Sequence, residues 1–337
     1  MKTFTISSAF NGAFLWLVVA TVFCSPAQAA WISLGQAEPF NAVVLGNMTA
    51  YGSDTEGRLA VGGHASFEHY SVGMELGSGW NHRDTLVVGG NLDFAHGRIY
   101  HGNANVGGNV QINETLGFYD ENPAVTNGSL LRSPAIDFAS LGLELIQKSQ
   151  TWANLATNGQ VGWQHNLLTL TGFQSGLNVF SITGNQLSAT QKLTIDIPDN
   201  SWALVNVDGR LASMSEFAFF RRIAGEDIQV PDNSPANRHD GRWTQTVLFN
   251  LFEAEDLTLH SIAIKASLLA PFADTVFYNG HIDGQLMVAS LSSPVGQFSG
   301  QINLYPFTPV PLPGMAPLFV VLLGLWRWKQ MLRLRLA

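Results

Sequence analysis

One short pattern occurs three times early in the sequence, as Val61-Gly62-Gly63-His64, Val88-Gly89-Gly90-Asn91 and Val106-Gly107-Gly108-Asn109. The copies are 27 and 18 residues apart, and each lies between two strand-like runs. A strand, a glycine corner and a second strand form the repeat unit of a stacked-coil solenoid. Glycine suits such corners because it reaches positive φ without strain at Cβ. The pattern predicts structural turns at Gly62, Gly63, Gly89, Gly90, Gly107 and Gly108.

The residue after the glycines fits the same interpretation. Asn tolerates left-handed backbone and can form ladders from one coil to the next. Three hairpin turns of a β-sandwich would also use paired glycines. Spacings that are multiples of nine residues favour coils over hairpins.

The repeat stops near residue 113, and a helix is predicted after the turn-rich residues 122–134. Ser133 is the expected N-cap and Pro134 the first-turn residue. An apolar stripe at helical spacing follows: Phe138, Leu141, Leu145, Trp152 and Leu155. Because Asn158-Gly159 ends the stripe, we expect one amphipathic α-helix over about 134–157, packed along the solenoid.

Strand signals resume after the helix, separated by Gly, Asn, Pro and Asp. They cover residues 167–171, 178–183, 192–197, 202–207, 245–252, 257–264 and 284–290. The expected fold is mostly β: one β-solenoid (β-helix-like) body over 31–305 with the packed helix and no second domain.

Composition limits the class of protein. Hydrophobic residues make up 46% of the 337 residues and charged residues only 12%, so a charged disordered chain is excluded. A net charge of -8 gives no electrostatic footprint for nucleic-acid binding. The single cysteine, Cys24, lies in the N-terminal apolar run. A chain cleaved after that run has no disulfide and no Cys-bound zinc.

The N-terminus reads as a secretory signal peptide over residues 1–29. Lys2 supplies the positive start, residues 13–24 the apolar run, and Ala27-Gln28-Ala29 the cleavage site. The alternative is an uncleaved membrane helix. Twelve residues span only about 18 Å, less than the hydrocarbon core of about 30 Å, which favours cleavage.

The C-terminal segment 310–337 reads as a sorting or anchor signal. Val310-Pro311-Leu312-Pro313 precedes an apolar helix over 315–326, and four basic residues end the chain: Arg327, Lys329, Arg333 and Arg335. A basic end stays on the cytoplasmic side of a membrane, which places the body outside. The segment resembles the PEP-CTERM class of sorting signals in its Val-Pro-Leu-Pro form, with Leu312 in place of the usual Glu. That resemblance implies a Gram-negative host and a membrane protease-transpeptidase (an exosortase) that transfers the protein to the exterior. A plain C-terminal membrane anchor is the alternative.

The body resembles the choice-of-anchor A domain, a bacterial surface module found with different C-terminal anchors. Six segments across nearly the whole mature chain carry the resemblance: residues 40–47, 53–63, 84–91, 247–254, 267–271 and 280–286. The resemblance implies a β-helix-like surface domain with an adhesive role and no established catalytic residues.

Histidines and acidic groups are the candidates for chemistry. His64 and His69 have the five-residue spacing that recurs at His96 and His101, which differs from the helical zinc spacing. Such side chains could stack on neighbouring coils, bind a metal or simply lie at the surface. Asp54 and Glu56, beside Arg58, suit a cation or sugar site, or a local ion pair with an Asx turn.

Two further groups are weaker candidates. Asp232, Asn233 and Asp240 lie in a polar loop that could bind calcium, but they lack the alternating acidic pattern of a calcium loop. Three aromatic residues could stack on sugar rings or pack in the core: Tyr70, Trp80 and Trp243. We therefore assign no catalytic, cofactor or metal residues.

The sequence predicts a non-catalytic exported adhesin or matrix protein that acts in attachment or exopolysaccharide and biofilm association. Long flat faces bind extended partners through many weak contacts. The expected partners are the sorting enzyme, an exopolysaccharide or other surface ligand, and the membrane through the C-terminal helix, but no nucleic acid. The expected location is the cell surface or exterior, with transient or permanent anchoring. A β-helix polysaccharide lyase or hydrolase and an assembly scaffold for the exopolysaccharide layer remain alternatives.

Overall fold

Strands stack in parallel into coils with three faces, as the glycine repeats predict. The computed structural model describes residues 31–113, 117–118, 127–233 and 237–311. Its first strands are β1 (Trp31–Ile32), β2 (Ala42–Val44), β3 (Met48–Tyr51), β4 (Asp54–Thr55), β5 (Leu59–Val61), β6 (Ala65–Glu68), β7 (Ser71–Val72), β8 (Asp84–Val88), β9 (Leu92–Ala95), β10 (Arg98–Ile99), β11 (Asn103–Val106), β12 (Val110–Ile112), β13 (Gly117–Phe118) and β14 (Leu130–Leu131).

The helix and the C-terminal strands follow in chain order. They are α1 (Phe138–Ala153), β15 (Gln160–Gln164), β16 (Leu167–Thr171), β17 (Leu177–Thr183), α2 (Gly184–Ser188), β18 (Lys192–Asp196), β19 (Trp202–Asp208), β20 (Leu211–Ser215), β21 (Ala218–Ile223), β22 (Glu226–Gln229), β23 (Val247–Leu251), β24 (Asp256–His260), β25 (Ala263–Ile264), β26 (Ser267–Tyr278), β27 (His281–Gly284), β28 (Leu286–Ser292), β29 (Gln301–Leu304) and β30 (Val310–Pro311).

Each face of the solenoid is a run of paired parallel strands. The covered face has the order β14-β11-β8-β5-β2-β28-β26-β23-β19-β17, and α1 packs on it. The ladder face has the order β12-β9-β6-β3-β28-β26-β24-β20. β26 and β28 run through the corner and contribute to both of these faces. The third, strapped face has the order β13-β10-β7-β4-β29-β27-β25, and β15, β16, β18, β21 and β22 form a further small sheet.

The coil order along the stack differs from the chain order. β2, in the first coil, pairs with β5 on one side and with β28, in a late coil, on the other. The N-terminal coils therefore run away from this seam and the C-terminal coils run towards it. Helix α1 crosses the seam: Gly142 lies against Leu45, while the carbonyl of Trp152 accepts a hydrogen bond from Asn206 in β19.

Two apolar layers hold this arrangement together. One fills the solenoid with inward side chains such as Leu59, Phe94 and Phe249, all fully buried. The other lies between α1 and the covered face, where Leu141, Leu145 and Trp152 are buried. Strands of the covered face are consequently apolar on both sides, as in other parallel sheets with both faces covered. The predicted packing role of the α1 stripe is confirmed.

Helix α1 begins later than the sequence predicts. Its N-cap is Asp137, whose Oδ1 accepts hydrogen bonds from the backbone of Ala139 and Ser140 at 3.1 Å. Ser133, the expected N-cap, instead exchanges backbone hydrogen bonds with the side chain of Asn105. Ser133 is therefore held against β11 by Asn105 and does not cap the helix, although its sequence context favours capping.

The paired glycines lie at the corner between the covered face and the ladder face, but the expected reason for them is wrong. None of Gly62, Gly63, Gly89, Gly90, Gly107 and Gly108 has positive φ. They stack directly on one another instead. A Cβ on Gly89 would lie 2.5 Å from the carbonyl oxygen of Gly62, and one on Gly90 would lie 2.5 Å from that of Gly63. Glycine is needed there because adjacent backbones approach too closely for a side chain.

Left-handed residues occupy the next corner, between the ladder face and the strapped face. Gly52, His69 and His96 share one position on successive coils and have φ of 63°, 52° and 53°. The five-residue spacing from His64 to His69 is one pass across the ladder face, whereas that from His96 to His101 is one pass across the strapped face, through β10. The rings of His69 and His96 stack at 4.8 Å, so the predicted stacking of histidines on neighbouring coils is confirmed for this pair.

The two ends of the described chain meet. β1 pairs with β30 in antiparallel orientation, Ile32 facing Val310, and both of these side chains are buried in the layer under α1. Within the described ranges, no helix is long and apolar enough to cross a membrane. The predicted signal peptide, residues 1–29, and the predicted apolar helix, residues 315–326, lie outside those ranges.

Candidate adhesive face

The ladder face presents one flat row of parallel strands to solvent. Along each strand, inward and outward side chains alternate: Met48 and Ala50 are buried, whereas Thr49 between them is exposed. Neighbouring strands lie about 4.8 Å apart. The eight strands therefore extend over roughly 34 Å, which is long enough for an extended partner.

Register aligns small polar side chains along the middle of this face. Thr49 lies beside Ser66, which lies beside Asp93. Leu291 faces Met48, so Ser292 lies beside Thr49 at the seam. The column continues in both directions and comprises Ser213, Thr258, Val276, Ser292, Thr49, Ser66, Asp93 and Gln111. Five of the eight positions carry a hydroxyl group, which can both donate and accept hydrogen bonds, and Val276 is the one apolar member.

A second column of polar groups flanks the hydroxyl column at the glycine corner. There the side chain of Asn47 accepts a hydrogen bond from the backbone of His64 at 2.8 Å, and that of Asn91 accepts one from Asn109 at 2.8 Å. Asn therefore bridges neighbouring coils at two steps, as predicted, although His64 stands between these two bridges. The left-handed backbone that Asn would tolerate is not used at Asn91 or Asn109.

The charges on the ladder face have one sign. Its outward carboxylates are Glu68, Asp93, Asp256 and Asp274. Among the described strands of this face, no outward residue is Lys or Arg. An acidic face repels anionic polymers, so its chemistry suits a neutral or cationic surface.

Aromatic rings follow the corner next to the strapped face. Three pairs stack with centroids 4.8–5.8 Å apart: His69–His96, His260–Tyr278 and Tyr51–Phe298. The side chain of Phe298 is 58% exposed. The ladder face therefore has a polar middle and an aromatic border, a mixture of the kind found at protein-binding and sugar-binding surfaces.

The strapped face carries polar residues in the same outward positions, but here they are buried. Register places Lys265, Asp283, Asn303 and Glu56 in one column. Residues 231–233 and 237–240, which we call the strap, cross this column. All four column residues are at most 3% exposed, so each requires a partner.

The strap supplies the partner of Glu56. Arg238 binds both carboxylate oxygens of Glu56, with contacts of 2.5 and 2.8 Å, and the backbone of Leu304 donates to the same group at 2.7 Å. The hydrogen bond from Arg238 to Glu56 raises the pKa of the guanidinium. Arg58, the expected local partner, instead stacks on Phe40, 4.2 Å from the ring centroid.

Asp54 lies beside the Glu56–Arg238 pair, and its carboxyl group is buried next to a second negative charge. Burial, followed by the negative charge of Glu56, raises the pKa of Asp54 to about 7. Among the described residues, no hydrogen-bond partner reaches its buried Oδ1. Because Glu56 is held by Arg238, these two carboxylates are not arranged as a free acid and base for glycan cleavage.

A second charged cluster surrounds Asp283, which is fully buried. Its Oδ2 lies 2.7 Å from Lys265 Nζ and 2.8 Å from His239 Nε2. Its Oδ1 accepts hydrogen bonds from Asn303 at 2.5 Å and Asn233 at 2.8 Å. Burial alone would raise the pKa of Asp283, but the hydrogen bond from His239 and the charge of Lys265 hold it well below its usual range.

A family model described as "Putative Ice-binding-like adhesive domain" matches residues 33–302, which is most of the chain and all three faces. The chain belongs to this family. The ice-binding-like adhesive domain thus contains the whole of the ladder face and nearly all of the strapped face, ending within β29, while the two chain ends lie beyond it. Family membership places this chain among surface adhesive proteins.

Solved structures with similarity include ice-binding proteins. One, from the Antarctic ascomycete Antarctomyces psychrotrophicus, has 13% identity and a TM-score of 0.37, and the match covers 82% of this chain and 98% of that chain. Another, from an Antarctic Flavobacteriaceae bacterium, has 11% identity and a TM-score of 0.32, with 80% and 81% covered. No curated protein matches the sequence.

The three candidate calcium-binding residues, Asp232, Asn233 and Asp240, do not form one metal site. Asp232 pairs with Lys265, Asn233 with Asp283, and Asp240 with Arg242. Within the described part of the chain, no three His, Cys, Asp or Glu side chains are placed to hold a metal ion. Asp232 and Asn233 of the candidate calcium loop thus belong to the cluster around Lys265 and Asp283, whereas Asp240 pairs outside it.

The three aromatic candidates for sugar stacking, Tyr70, Trp80 and Trp243, lie in three different environments. Tyr70 is buried and bonds Thr55, so it belongs to the core. Trp80 stacks under Arg58, 4.9 Å from centroid to guanidinium. Trp243 lines a shallow cleft of about 560 Å³ together with Arg221.

Two features of the adhesive domain were missed in the sequence. Lys265 and Asp283 are 18 residues apart, the spacing of two of the glycine repeats, but that spacing was not applied to them in the sequence, and coil register brings them together. The ladder-face column was also missed, although alternation such as Met48-Thr49-Ala50 signals one solvated side of a strand. Of the predicted sorting motif, Val310 and Pro311 form β30, while Leu312 and Pro313 lie outside the described residues.

Proposed function

We propose that this chain is an exported surface adhesin that contacts its target through the ladder face. The observation that carries the proposal is the ladder face itself: a long, solvated row of aligned polar side chains. The covered face is occupied by α1 and the strapped face by the strap. Among the three faces formed by the described residues, the ladder face alone is not covered by a described helix or strap.

Multiple weak contacts explain how such a face would work. Each hydroxyl or amide contributes little alone, because it exchanges a hydrogen bond with water for one with the target. A column that repeats at the strand spacing can make many such contacts at once, and their number provides avidity. Attachment and association with an exopolysaccharide or biofilm matrix are the roles that this design suits.

We further propose the finer assignment to choice-of-anchor A proteins with a PEP-CTERM type tail. Under it, residues 1–29 are a signal peptide, 31–305 the β-helix domain and 310–337 the sorting segment, read by an exosortase-type enzyme in a Gram-negative host. The apolar helix would hold the protein in the membrane transiently or permanently. Family membership in an adhesive domain supports the surface location, and the motif at 310–313 supports the route.

An attachment assay tests the contact face. Cells that lack the gene are complemented with wild type, with Thr49→Lys or with Thr151→Lys. Thr49 is exposed in the centre of the ladder face, whereas Thr151 is exposed on α1. We expect Thr49→Lys to lower attachment several-fold because it places a long charged side chain in the hydroxyl column. Thr151→Lys should attach like wild type.

Surface delivery is measured on the same cells by protease accessibility. Equal accessibility of the three proteins ensures that attachment reports contact rather than export. Normal attachment of Thr49→Lys, or of cells without the gene on every surface tested, would contradict the proposal. A protein found only in the cytoplasm would contradict the route as well.

A further inference from the structure

We propose that Lys265 and Asp283 form an intramolecular amide bond that links two adjacent coils of the strapped face. Nζ of Lys265 attacks Cγ of Asp283, the Nζ–Cγ bond forms and the Cγ–Oδ2 bond breaks. Of the three protons on the lysine ammonium, one stays on the amide nitrogen and two leave with Oδ2 as water. The charges of the ion pair cancel, so the step needs neither an oxidant nor a cofactor.

The register between β25 and β27 places the amine of Lys265 next to the carboxylate of Asp283. Ala263 faces His281 and Ile264 faces Ile282, so Lys265 follows directly beside Asp283. Nζ and Oδ2 are 2.7 Å apart, and the side chains are 2% and 0% exposed. The coils hold the two groups in contact, which replaces a bimolecular encounter by an intramolecular one.

Each carboxylate oxygen of Asp283 has a hydrogen-bond donor that can take part in the reaction. Oδ1, which becomes the amide oxygen, accepts hydrogen bonds from Asn303 and Asn233, and these stabilise negative charge that develops there. Oδ2, which leaves, faces Nε2 of His239. The backbone of Gly241 donates to Nδ1 of His239, which leaves the proton of the neutral ring on Nε2, directed at Oδ2.

The attacking nitrogen has its own proton acceptor. Oδ1 of Asp232 lies 2.9 Å from Nζ of Lys265, closer than Nε2 of His281 at 3.2 Å. Asp232 is 56% exposed, so a proton or a water molecule can pass from the site to solvent along this side. Asp232 and His239 therefore act as the base and the acid of the condensation.

Burial favours the product. A buried ion pair costs a large desolvation free energy, which its mutual attraction repays only in part. The amide removes both charges, retains the donors to Oδ1 and releases its water to the solvent. Hydrogen bonds that keep Asp283 ionised slow the step, because the reaction passes through the neutral amine and acid.

Peptide mapping of the purified full chain by mass spectrometry tests the proposal. In wild type we expect no tryptic cleavage after Lys265, and a peptide containing Lys265 and Asp283 that is lighter by one water. Lys265→Arg keeps the positive charge but cannot form the amide, so the corresponding peptides should be cleaved and have their full mass. Asp232→Asn should leave most molecules unlinked because the base is lost.

The wild-type map decides the matter even if a variant fails to fold. Cleavage after Lys265 with peptides of full mass would overturn the proposal and leave a plain ion pair. Loss of water at another residue, or linkage that persists fully in Asp232→Asn, would contradict the assigned chemistry. The readout is independent of attachment, so its failure is distinct from failure of the adhesin proposal.

Discussion

The ladder face and the strapped face both carry columns of outward polar side chains, but those of the ladder face are exposed to solvent and those of the strapped face are buried. On both, parallel strands in register align outward polar side chains into columns. Thr49 and Ser66 on the ladder face remain in solvent, whereas Glu56 and Asp283 on the strapped face are enclosed by the strap. Alternation within a strand thus determines which residues point outward. What covers them determines whether they contact a partner or stabilise the fold.

Asp283→Ala, on the strapped face, should lower the free energy of unfolding more than Gly89→Ala or Thr49→Ala. Removal of the carboxylate leaves Lys265 buried without its main counter-charge, a situation that typically costs about 3–5 kcal/mol. The free energy of unfolding from urea denaturation measures it. A loss below about 1 kcal/mol would mean that the cluster tolerates an unpaired charge and that the strapped face is not a structural element.

Asp54→Asn should stabilise the protein at high pH. The raised pKa of Asp54, about 7 against 3.8, means that the folded chain keeps a proton which the unfolded chain releases. Wild-type stability therefore falls as pH rises from about 4 to about 7. Because Asn is neutral throughout, the variant should gain about 2–4 kcal/mol at pH 8 and nothing near pH 4. Denaturation at the two pH values measures this, and parallel pH profiles would contradict it.

Gly89→Ala tests the corner that separates the covered face from the ladder face. The added methyl group would meet the carbonyl of Gly62, and overpacking of this kind costs about 1–3 kcal/mol. Gly176→Ala is the matched control, because a Cβ there meets nothing within 4 Å and φ is not positive. Thermal unfolding compares the two. Equal melting temperatures would show that the coils can separate at the corner without cost.

Thr49→Ala should have the smallest effect on stability. The side chain is exposed, and surface substitutions away from caps and buried contacts usually change stability by less than about 0.5 kcal/mol. Urea denaturation beside Asp283→Ala gives the comparison directly. A loss as large as that of a buried residue would mean that the hydroxyl column stabilises the coils rather than remaining available to a partner.

Local signals in the sequence predicted the parts of the fold that depend on neighbours along the chain. The Gly62-Gly63 and Gly89-Gly90 repeats predicted the coils, and the apolar stripe of α1 predicted its buried side. The reason given for the glycines was wrong, because close approach of two backbones depends on the coil above. Leu257–Ile264, read as one strand, is split at Ser261 into β24 and β25.

Long-range pairings could not be predicted from the sequence. The seam joins β2 to β28, some 240 residues away along the chain, and no local pattern encodes that register. Glu56 was expected to pair with Arg58 but binds Arg238, and Asp283 was not a candidate at all. Glu56 and Arg238 come from opposite halves of the chain and meet only when those halves stack, whereas Asp283 and Lys265 lie in consecutive coils of the C-terminal half.

Under the proposed anchoring through the C-terminal segment, the pairing of β1 with β30 has a mechanical consequence. Any pull that arrives through residues beyond Pro311 enters at a two-residue antiparallel pair, where Ile32 faces Val310. Because this pair is so short, we expect it to open at a lower force than the long parallel ladders of the coils. The solenoid would then stay folded when the contact between the two chain ends is lost.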